Sequence, residues 1–247
     1  MIIQIYEIQT PFEAEPMVEL GVDHIGSVLL SEGEWKKPVL KDAIDLVRGT
    51  PSKSSLIPLF NNSDSVFRAL DYYSPDIVHF CEALEGQGDE FIENLIQLQE
   101  GVRERFPNIK VMRSIPIAET GKAGRVSTLE FAMRFESVSD FFLTDTLILG
   151  DDVVNHNDQP VGGFVGITGK VCDWEMAAKL VDQSVIPVIL AGGISPENVS
   201  EAIDRTHPAG IDSCTLTNAV DEQGEHIRFR KDLEKVRKLI EEVRASY

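Results

Sequence analysis

Asp145 is the side chain in this sequence that is best placed for proton-transfer chemistry. It is the last inward-facing residue of the apolar segment Phe-Phe-Leu-Thr-Asp-Thr at residues 141–146. A carboxylic acid in such a position is costly unless it is hydrogen-bonded or takes part in function. We therefore predict that Asp145 is catalytic.

His79 and Cys81 are a second candidate for catalysis. They lie two residues apart in the segment Asp-Ile-Val-His-Phe-Cys-Glu at residues 76–82, and side chains at that spacing face the same side of a strand. Because a neighbouring imidazolium lowers the pKa of a thiol, the two can act as an acid–base or nucleophilic pair. Inert packing of a buried cysteine is the alternative.

Gly192 and Gly193 form a candidate phosphate site. They follow the apolar segment at residues 187–191 and precede Ser195-Pro196, which predicts a helix start with the serine as N-cap. Glycines between a strand and a helix allow close backbone approach and expose N–H groups to an anion. A plain tight turn is the alternative.

The elements that must position these residues alternate between β and α patterns. Short apolar segments begin at residues 2, 24, 55, 76, 110, 140, 187 and 210, and each is followed by a helical pattern. This alternation predicts a parallel sheet, and about 250 residues is the usual size of a (β/α)₈ TIM barrel. We predict one such α/β domain over residues 1–247, with a last helix from about Arg230 to Ala245 and a long loop at about 147–165.

The active site of a (β/α)₈ barrel lies at the C-terminal ends of its strands. The candidate catalytic residues at these positions are Tyr6, Glu7, His79, Cys81 and Asp145. The candidates for binding substrate or phosphate are Arg113, Gly192, Gly193, Asp212 and Thr215.

Composition limits the partners of the protein. A formal net charge of −18 disfavours binding to nucleic acid and to anionic membranes. No signal-peptide pattern and no apolar run of membrane-spanning length is visible, so we expect a cytoplasmic protein, either a monomer or a homodimer. The three cysteines have no paired spacing, which indicates free thiols.

The sequence shows no nicotinamide, flavin or metal motif, and we expect neither a cofactor nor a metal. Proton-transfer chemistry needs neither of them. The long loop contains possible metal ligands, but we interpret it as a solvated acidic surface: Asp151, Asp152, His156 and Asp158.

Four pieces of the second half of the chain occur in a specific order. They are Asp145-Thr146 at a strand end, Gly-Ile-Thr-Gly-Lys-Val-Cys-Asp-Trp at residues 166–174, Gly-Gly-Ile-Ser-Pro-Glu-Asn-Val at residues 192–199, and Gly-Ile-Asp-Ser-Cys at residues 210–214. Their order and spacing resemble the phosphoribosylanthranilate isomerase family. The first half of the chain follows that family only in outline.

The resemblance implies an Amadori rearrangement of a phosphorylated substrate in tryptophan biosynthesis. In that reaction a general acid opens the ribose ring and a general base takes the C2′ proton. The resemblance implies the acid role for Asp145 and a substrate contact for Asp212. It also implies phosphate or substrate binding at Gly169, Lys170, Gly192 and Gly193.

The chain departs from the family pattern at several positions. Tyr6 replaces the cysteine that serves as the family's base, and a phenol with a pKa near 10 is a poor base at neutral pH. Glu7 is a substitute only if the strand bends, because alternation directs it to the other face. Thr215 stands in a turn that has lost its glycine. The family's basic residue for the anthranilate carboxylate has no clear match, although Lys36 and Lys37 lie nearby.

These observations leave three hypotheses. The first is a phosphoribosylanthranilate isomerase with another base. The second is a barrel enzyme with a different isomerase or lyase reaction that uses Asp145, His79 and Cys81. The third is a non-catalytic relative that binds a metabolite or a partner protein. We favour an enzyme acting on a phosphorylated small molecule, because Asp145 and the glycine pair remain in place.

Overall fold

The computed structural model describes residues 1–149 and 162–246. Eight strands form a closed parallel barrel in sequence order: β1 (Ile2–Ile5), β2 (His24–Leu29), β3 (Lys53–Pro58), β4 (Ile77–Phe80), β5 (Lys110–Ala118), β6 (Phe141–Leu147), β7 (Val188–Leu190) and β8 (Gly210–Ser213). The barrel closes where β1 pairs with β8, with Gln4 opposite Asp212. The predicted (β/α)₈ fold is confirmed.

Helices surround the barrel: α1 (Pro11–Leu20), α2 (Pro38–Val47), α3 (Ser63–Tyr73), α4 (Asp89–Arg105), α5 (Thr128–Phe135), α6 (Trp174–Gln183), α7 (Val199–Thr206) and α8 (Leu233–Ala245). Side-chain caps begin several of them; Thr10 caps α1 and Asp173 caps α6. A hairpin of β9 (Asn218–Val220) and β10 (His226–Lys231) precedes α8. Within the described ranges, no helix is both long and apolar enough to cross a lipid bilayer.

Apolar side chains fill two separate layers. Outward-facing strand residues such as Ile5 and Phe142 pack against the helices, with Leu239 of α8 in the same cluster. A second cluster comprises Ile77, Met112, Leu143, Ile189 and Ala191. Leu143 precedes Asp145 by two residues on β6, so the two share a face, and this second cluster forms the floor beneath Asp145.

The start of the seventh helix differs from the prediction. The helix begins at Val199 with Asn198 at its N-cap, so the assignment of the N-cap to Ser195 was wrong. The Ser195 amide donates to Asn198 Oδ1 at 2.9 Å, and its hydroxyl accepts from the Glu197 amide at 3.2 Å. These bonds hold residues 195–198 in a turn ahead of the helix.

The structure describes only the two ends of the predicted long loop. Strand β6 continues to Leu147, and Phe164 is paired in an isolated antiparallel bridge with Glu82, just after β4. Residues 150–161 lie outside the described residues, as do the possible metal ligands named above: Asp151, Asp152, His156 and Asp158.

Candidate active site

A cavity lies at the C-terminal ends of the barrel strands, where this fold places active sites. It encloses about 770 Å³ of empty space, part of it open to solvent. Ten of the predicted site residues line it: Tyr6, Glu7, His79, Cys81, Asp145, Gly169, Gly192, Gly193, Asp212 and Thr215. Arg113 and Lys170 do not.

Asp145 is fixed on the cavity wall by its neighbours. The Thr146 amide donates to Asp145 Oδ1 at 3.0 Å, and the Thr146 hydroxyl donates to the Lys170 carbonyl at 2.7 Å. Gly166 passes directly over the carboxyl group with a φ of +105°, and a Cβ there would overlap it. A glycine at position 166 therefore lets the segment after the long loop cover Asp145.

Burial raises the pKa of both cavity aspartates above the usual range. Burial raises the pKa of Asp145 to about 8, and the charge of Asp212 adds to the increase. Burial also raises the pKa of Asp212 to about 7, although a 3.0 Å hydrogen bond from Gln4 Nε2 and the charge of Lys231 oppose it. The charge of an ionised Asp212 favours the protonated form of Asp145. A carboxyl group that keeps its proton near neutral pH can act as a general acid, and an ionised carboxylate beside it can act as a general base.

Tyr6 and His79 belong to a hydrogen-bonded chain inside the barrel. The Tyr6 hydroxyl is 2.6 Å from Ser55 Oγ and 2.8 Å from His79 Nδ1, and His79 Nε2 is 2.8 Å from Ser114 Oγ. Burial raises the pKa of Tyr6 well above its usual 10 and lowers the pKa of His79 to about 3. Tyr6 therefore stays protonated, and His79 stays neutral with both ring nitrogens engaged. Neither group is suited to remove a proton from carbon.

The structure does not support the predicted His79–Cys81 pair. Both ring nitrogens of His79 are bonded to other side chains. Burial, together with the charges of Glu82 and Asp145, raises the pKa of the Cys81 thiol. Cys81 packs instead in an apolar cluster that includes Val28, Leu59, Leu147 and Val165. The alternative of inert packing describes this cysteine.

Glu7 reaches the cavity because the chain bends after β1. Its φ of 66° lies in the left-handed region, which is uncommon for a residue other than glycine. Arg228 of β10 donates from Nε to Glu7 Oε1 at 2.7 Å, and Asn218 Nδ2 donates to Oε2 at 3.3 Å. The charge of Glu7 is thus already balanced, so its contacts favour anchoring of the hairpin over the predicted base role.

The glycine-rich end of the cavity has the geometry of an anion site. Gly169, Gly192 and Gly193 have φ values of 64°, 91° and 65°. Their amides donate to no other group within residues 1–149 and 162–246. A Cβ at Gly193 would lie 2.5 Å from Val171 N, so this close approach requires glycine. Thr215 also lines the cavity and lies beside Gly169.

A comparison with known proteins identifies the family. Residues 94–242 match the sequence model of N-(5′-phosphoribosyl)anthranilate isomerase, which is more than half of the chain. The chain belongs to this family.

Relatives within the phosphoribosylanthranilate isomerase family are distant. The isomerase of Methanosarcina acetivorans is 27% identical over 250 residues, which covers 99% of this chain and 94% of that protein. The isomerase of Methanocella arvoryzae is 32% identical over 145 residues, which covers 59% of this chain and 55% of that protein.

Solved structures of the family share the fold. The Thermotoga maritima phosphoribosylanthranilate isomerase has a TM-score of 0.69 at 18% identity, covering 99% of this chain and 100% of that chain. A family structure in complex with reduced 1-(o-carboxyphenylamino)-1-deoxyribulose 5-phosphate has a TM-score of 0.68 at 19% identity, with the same coverage.

Arg113 was predicted to bind substrate, but in this family member it lies behind the cavity. The residue is fully buried, its Nη1 is 2.5 Å from Glu82 Oε2, and its Nη2 donates to the Glu82 carbonyl at 3.1 Å. The guanidinium also lies 4.6 Å from the centre of the Phe135 ring. Ser114 is the neighbour that faces the barrel interior, because adjacent strand residues face opposite sides.

The Arg113–Glu82 pair gives a stability prediction. Replacement of Arg113 with methionine leaves the buried Glu82 carboxylate without its cation, and we expect a loss of about 3–5 kcal/mol of unfolding free energy. Urea denaturation measures this loss of unfolding free energy. In the double variant Arg113→Met with Glu82→Gln, most of the loss should be recovered. Equal losses in the single and double variants would contradict this role.

Lys170 is exposed and does not line the cavity, so its predicted phosphate contact has no support in the geometry. Lys231 is the cation that sequence reasoning missed. It donates from Nζ to the Cys214 carbonyl at 2.7 Å and to Asn218 Oδ1 at 2.5 Å, next to Thr215.

The last helix had been predicted from about Arg230, whereas it begins at Leu233 because residues 226–231 form a strand.

Proposed function

We propose that this protein is an aldose–ketose isomerase that converts an N-substituted 5-phosphoribosylamine into the matching 1-amino-1-deoxyribulose 5-phosphate. The observation that carries the proposal is the pair Asp145 and Asp212, two buried carboxyl groups with raised pKa values on the wall of one cavity. The names of the relatives and the phosphorylated ligand of a solved neighbour support a sugar phosphate as substrate.

The phosphate of the substrate binds at the glycine-rich end of the cavity. The amides of Gly169, Gly192 and Gly193 supply donors without a competing partner in the described residues. The Thr215 hydroxyl and the nearby charge of Lys231 add to the attraction. This anchoring leaves the ribose ring next to the two aspartates.

Asp145 acts as the general acid in the first step. Its carboxyl group donates a proton to the ring oxygen as the C1′–O bond breaks, and the nitrogen lone pair forms the C1′=N bond. The products are an open-chain protonated imine and the Asp145 carboxylate. The raised pKa of Asp145 keeps this proton available at neutral pH.

Asp212 acts as the general base in the second step. Its carboxylate removes the C2′ proton. The electrons of that C–H bond form the C1′=C2′ double bond, and the π electrons of the C1′=N bond return to nitrogen to give an enaminol. The C2′ hydroxyl then loses its proton as C1′ gains one, which completes the ketose without net loss of atoms. Asp212 is opposite Gln4 on the adjacent strand β1, so the base lies one strand away from Tyr6, the position of the family's cysteine.

A turnover assay tests the proposed function. Ribose 5-phosphate condenses with anthranilate or with aniline to give two candidate substrates, and the ketose products are detectable by phosphorus NMR. We expect the protein to convert at least one of them. The absence of turnover for both, at enzyme concentrations equal to those of substrate, would contradict the proposal.

We also propose a cytoplasmic enzyme that is a monomer or a homodimer. A solved neighbour is described as a monomeric form of the dimeric Thermotoga maritima isomerase, with a TM-score of 0.67. Sedimentation of the purified protein measures its oligomeric state.

Replacement of Thr215 with valine tests the phosphate site. A hydrogen bond to a charged group contributes about 1.5–3 kcal/mol, so we expect the affinity for a phosphorylated ligand to fall about 10- to 100-fold. Titration calorimetry measures the dissociation constant of the phosphorylated ligand. Thr128→Val, outside the cavity, is the control. An equal loss for the dephosphorylated ligand would show that Thr215 does not contact phosphate.

A further inference from the structure

Three polar side chains lie next to one another inside the barrel on adjacent strands. Gln4 on β1 is opposite Asp212 on β8 and opposite His24 on β2. The next residues along the strands, Ile25 and Ile211, belong to the cluster that packs against the helices, so alternation turns the three polar side chains inward. Gln4 is 0% exposed, and His24 and Asp212 are each 6% exposed.

Hydrogen bonds join these side chains into one relay, His24–Gln4–Asp212. Gln4 Nε2 donates to Asp212 Oδ1 at 3.0 Å and lies 3.8 Å from Met112 Sδ of β5. Gln4 Oε1 is 3.0 Å from His24 Nδ1. The side-chain amide of Gln4 is thus held at both of its ends.

The Asp212 carboxylate sets the direction of the relay. An ionised carboxylate only accepts hydrogen bonds, so Gln4 must present its NH₂ group to Asp212. The amide oxygen then faces His24, and His24 Nδ1 must carry a hydrogen to donate to it. Burial lowers the pKa of His24 to about 4. At neutral pH the ring is therefore neutral, with its hydrogen on Nδ1.

The His24 ring packs against an aromatic neighbour. The ring of Phe141, the first residue of β6, lies 5.8 Å from it between centroids at an angle of 78°, an edge-to-face arrangement that is favourable for two rings. This packing restrains the imidazole, so Nδ1 stays directed at Gln4.

The relay reaches the site from the opposite end of the barrel. His24 is the first residue of β2, and neither His24 nor Gln4 lines the cavity, whereas Asp212 does. The two residues therefore act on the chemistry through Asp212. Because Gln4 engages Oδ1 of Asp212, Oδ2 is the oxygen left for the substrate.

We propose that Gln4 and His24 are positioning residues of the isomerase: His24 fixes the orientation of the Gln4 amide, and Gln4 holds the Asp212 carboxylate for proton transfer at C2′. This inference rests on the proposed function for the role of Asp212 as the base. It adds two residues, outside the cavity, on which the competence of that base depends.

The relay also affects the ionisation of Asp212. Burial raises the pKa of Asp212, and the hydrogen bond from Gln4 opposes that increase because it favours the charged form. Loss of the donor should therefore raise the pKa further.

Other titratable groups act on the same residues and must stay constant in a test. Those that interact with Asp212 are Tyr6, Asp145, Cys214 and Lys231. Those that interact with His24 are Asp23, Lys53 and Asp76. The variants below retain all of them except Asp145, which is replaced on purpose in one experiment.

Carbon NMR of the protein with ¹³C-labelled aspartate measures the titration of Asp212 without any substrate. The Asp145→Asn background removes the second cavity aspartate, and the signal lost on adding Asp212→Asn identifies Asp212. Gln4→Met keeps an unbranched side chain of similar length but cannot donate. We expect it to raise the titration midpoint by about 1 pH unit or more. An unchanged midpoint would overturn the inference.

Two variants of His24 test its part in the relay. His24→Phe keeps the aromatic contact but has no donor for the Gln4 oxygen, so the midpoint should rise by a smaller amount than in Gln4→Met. Asparagine carries an amide nitrogen at the same number of bonds from the backbone as Nδ1, so His24→Asn should reverse at least half of that rise. Equal midpoints in the two variants would exclude the role of His24.

Kinetics separate positioning from a purely structural role. In Gln4→Met the rising limb of kcat/KM should move about 1 pH unit higher, because Asp212 must be ionised to act. The affinity for the reduced sugar phosphate, made by reductive amination of ribose 5-phosphate with anthranilate, should change less than threefold. A loss of affinity with an unmoved rising limb would contradict the proposal.

Gln99 offers a matched control for the loss of a buried glutamine. It is 1% exposed, and its Nε2 donates to the Val138 carbonyl at 3.2 Å and to Ser139 Oγ at 3.1 Å, outside the cavity. Gln99→Met should leave both the Asp212 midpoint and the rising limb unchanged. Shifts equal to those of Gln4→Met would show that the effect is not specific to the relay.

The wild-type protein gives a test that needs no variant to fold. Nitrogen NMR of ¹⁵N-labelled histidine reports which ring nitrogen carries the hydrogen, and we expect Nδ1 for His24 at pH 7. A hydrogen on Nε2 alone would overturn the relay even if every variant were unfolded.

Titration and turnover keep this inference distinct from the proposed function. A raised Asp212 midpoint in Gln4→Met, with no turnover of either candidate substrate by wild type, would retain the relay and reject the isomerase. Turnover by wild type with an unchanged midpoint and rising limb in Gln4→Met would reject the relay and retain the isomerase.

Discussion

Replacement of Asp145 with asparagine is expected to lower kcat by about 10²- to 10⁴-fold, the range that general acid–base catalysis contributes. An amide has nearly the same size and can still accept the 3.0 Å hydrogen bond from the Thr146 amide. It has no acidic proton for the ring oxygen. We therefore expect kcat to fall while the affinity for the reduced sugar phosphate changes less than threefold.

A matched control is available for this experiment. Asp173 is also buried, but it caps α6 and accepts from the Met176 and Gly121 amides outside the cavity. An asparagine oxygen can keep the N-cap bond from Met176 while the bond from Gly121 is lost outside the cavity, so Asp173→Asn should keep its activity. A kcat for Asp145→Asn within a factor of three of wild type would exclude the acid role.

Replacement of Asp212 with asparagine is expected to have the second largest effect. The amide cannot take the C2′ proton, and we expect kcat to fall about 10²- to 10³-fold. Gln4 donates to Asp212 Oδ1, and an asparagine oxygen can accept the same bond, so the fold should be retained. Loss of hydrogen exchange at C2′ in deuterated water is the direct measurement.

The pH dependence distinguishes the two roles. The reaction needs Asp212 ionised and Asp145 protonated, so wild-type kcat/KM should rise with a pKa of about 7 and fall with a pKa of about 8. In Asp212→Asn the rising limb disappears. The falling limb moves to lower pH, because the charge that raised the pKa of Asp145 is gone. A rising limb that survives in Asp212→Asn would assign the base elsewhere.

The sequence predicted the residues whose position depends on the backbone alone. The βα alternation predicted the barrel, and the barrel placed Asp145 and the Gly192-Gly193 turn at one end. Alternation along β1 also predicted that Glu7 could reach the cavity only through a bend, and its φ of 66° is that bend.

Residues whose role depends on long-range pairing could not be assigned in this way. Arginine is a common phosphate ligand, which is why Arg113 was predicted to bind substrate. It instead forms an ion pair with Glu82, 31 residues earlier in the sequence and outside the cavity. His79 is bonded to Tyr6, 73 residues earlier, rather than to the nearby Cys81. Asp212 was predicted only as a substrate contact, because its raised pKa arises from burial in the closed barrel.

The sequence contains a local indication of the β9–β10 hairpin, which was missed because the next segment has a helical pattern. Asp221 to Gly224 form a turn, with Gly224 at a φ of 86°, between two short segments. Turn residues flanked by alternating apolar residues predict a hairpin. The adjoining charged helix nevertheless led to an extension of α8 back to about residue 230.

The contact between Tyr6 and Gly26 limits which side chains the two positions can carry. The phenol ring occupies the space that any side chain at position 26 would need, and its hydroxyl joins Ser55 to His79. Replacement of Tyr6 with cysteine would open a void that costs about 3–5 kcal/mol and would remove the shared partner of Ser55 and His79. A cysteine at position 6 would therefore fit this barrel only together with changes at the neighbouring strands that fill the void and give Ser55 and His79 new partners.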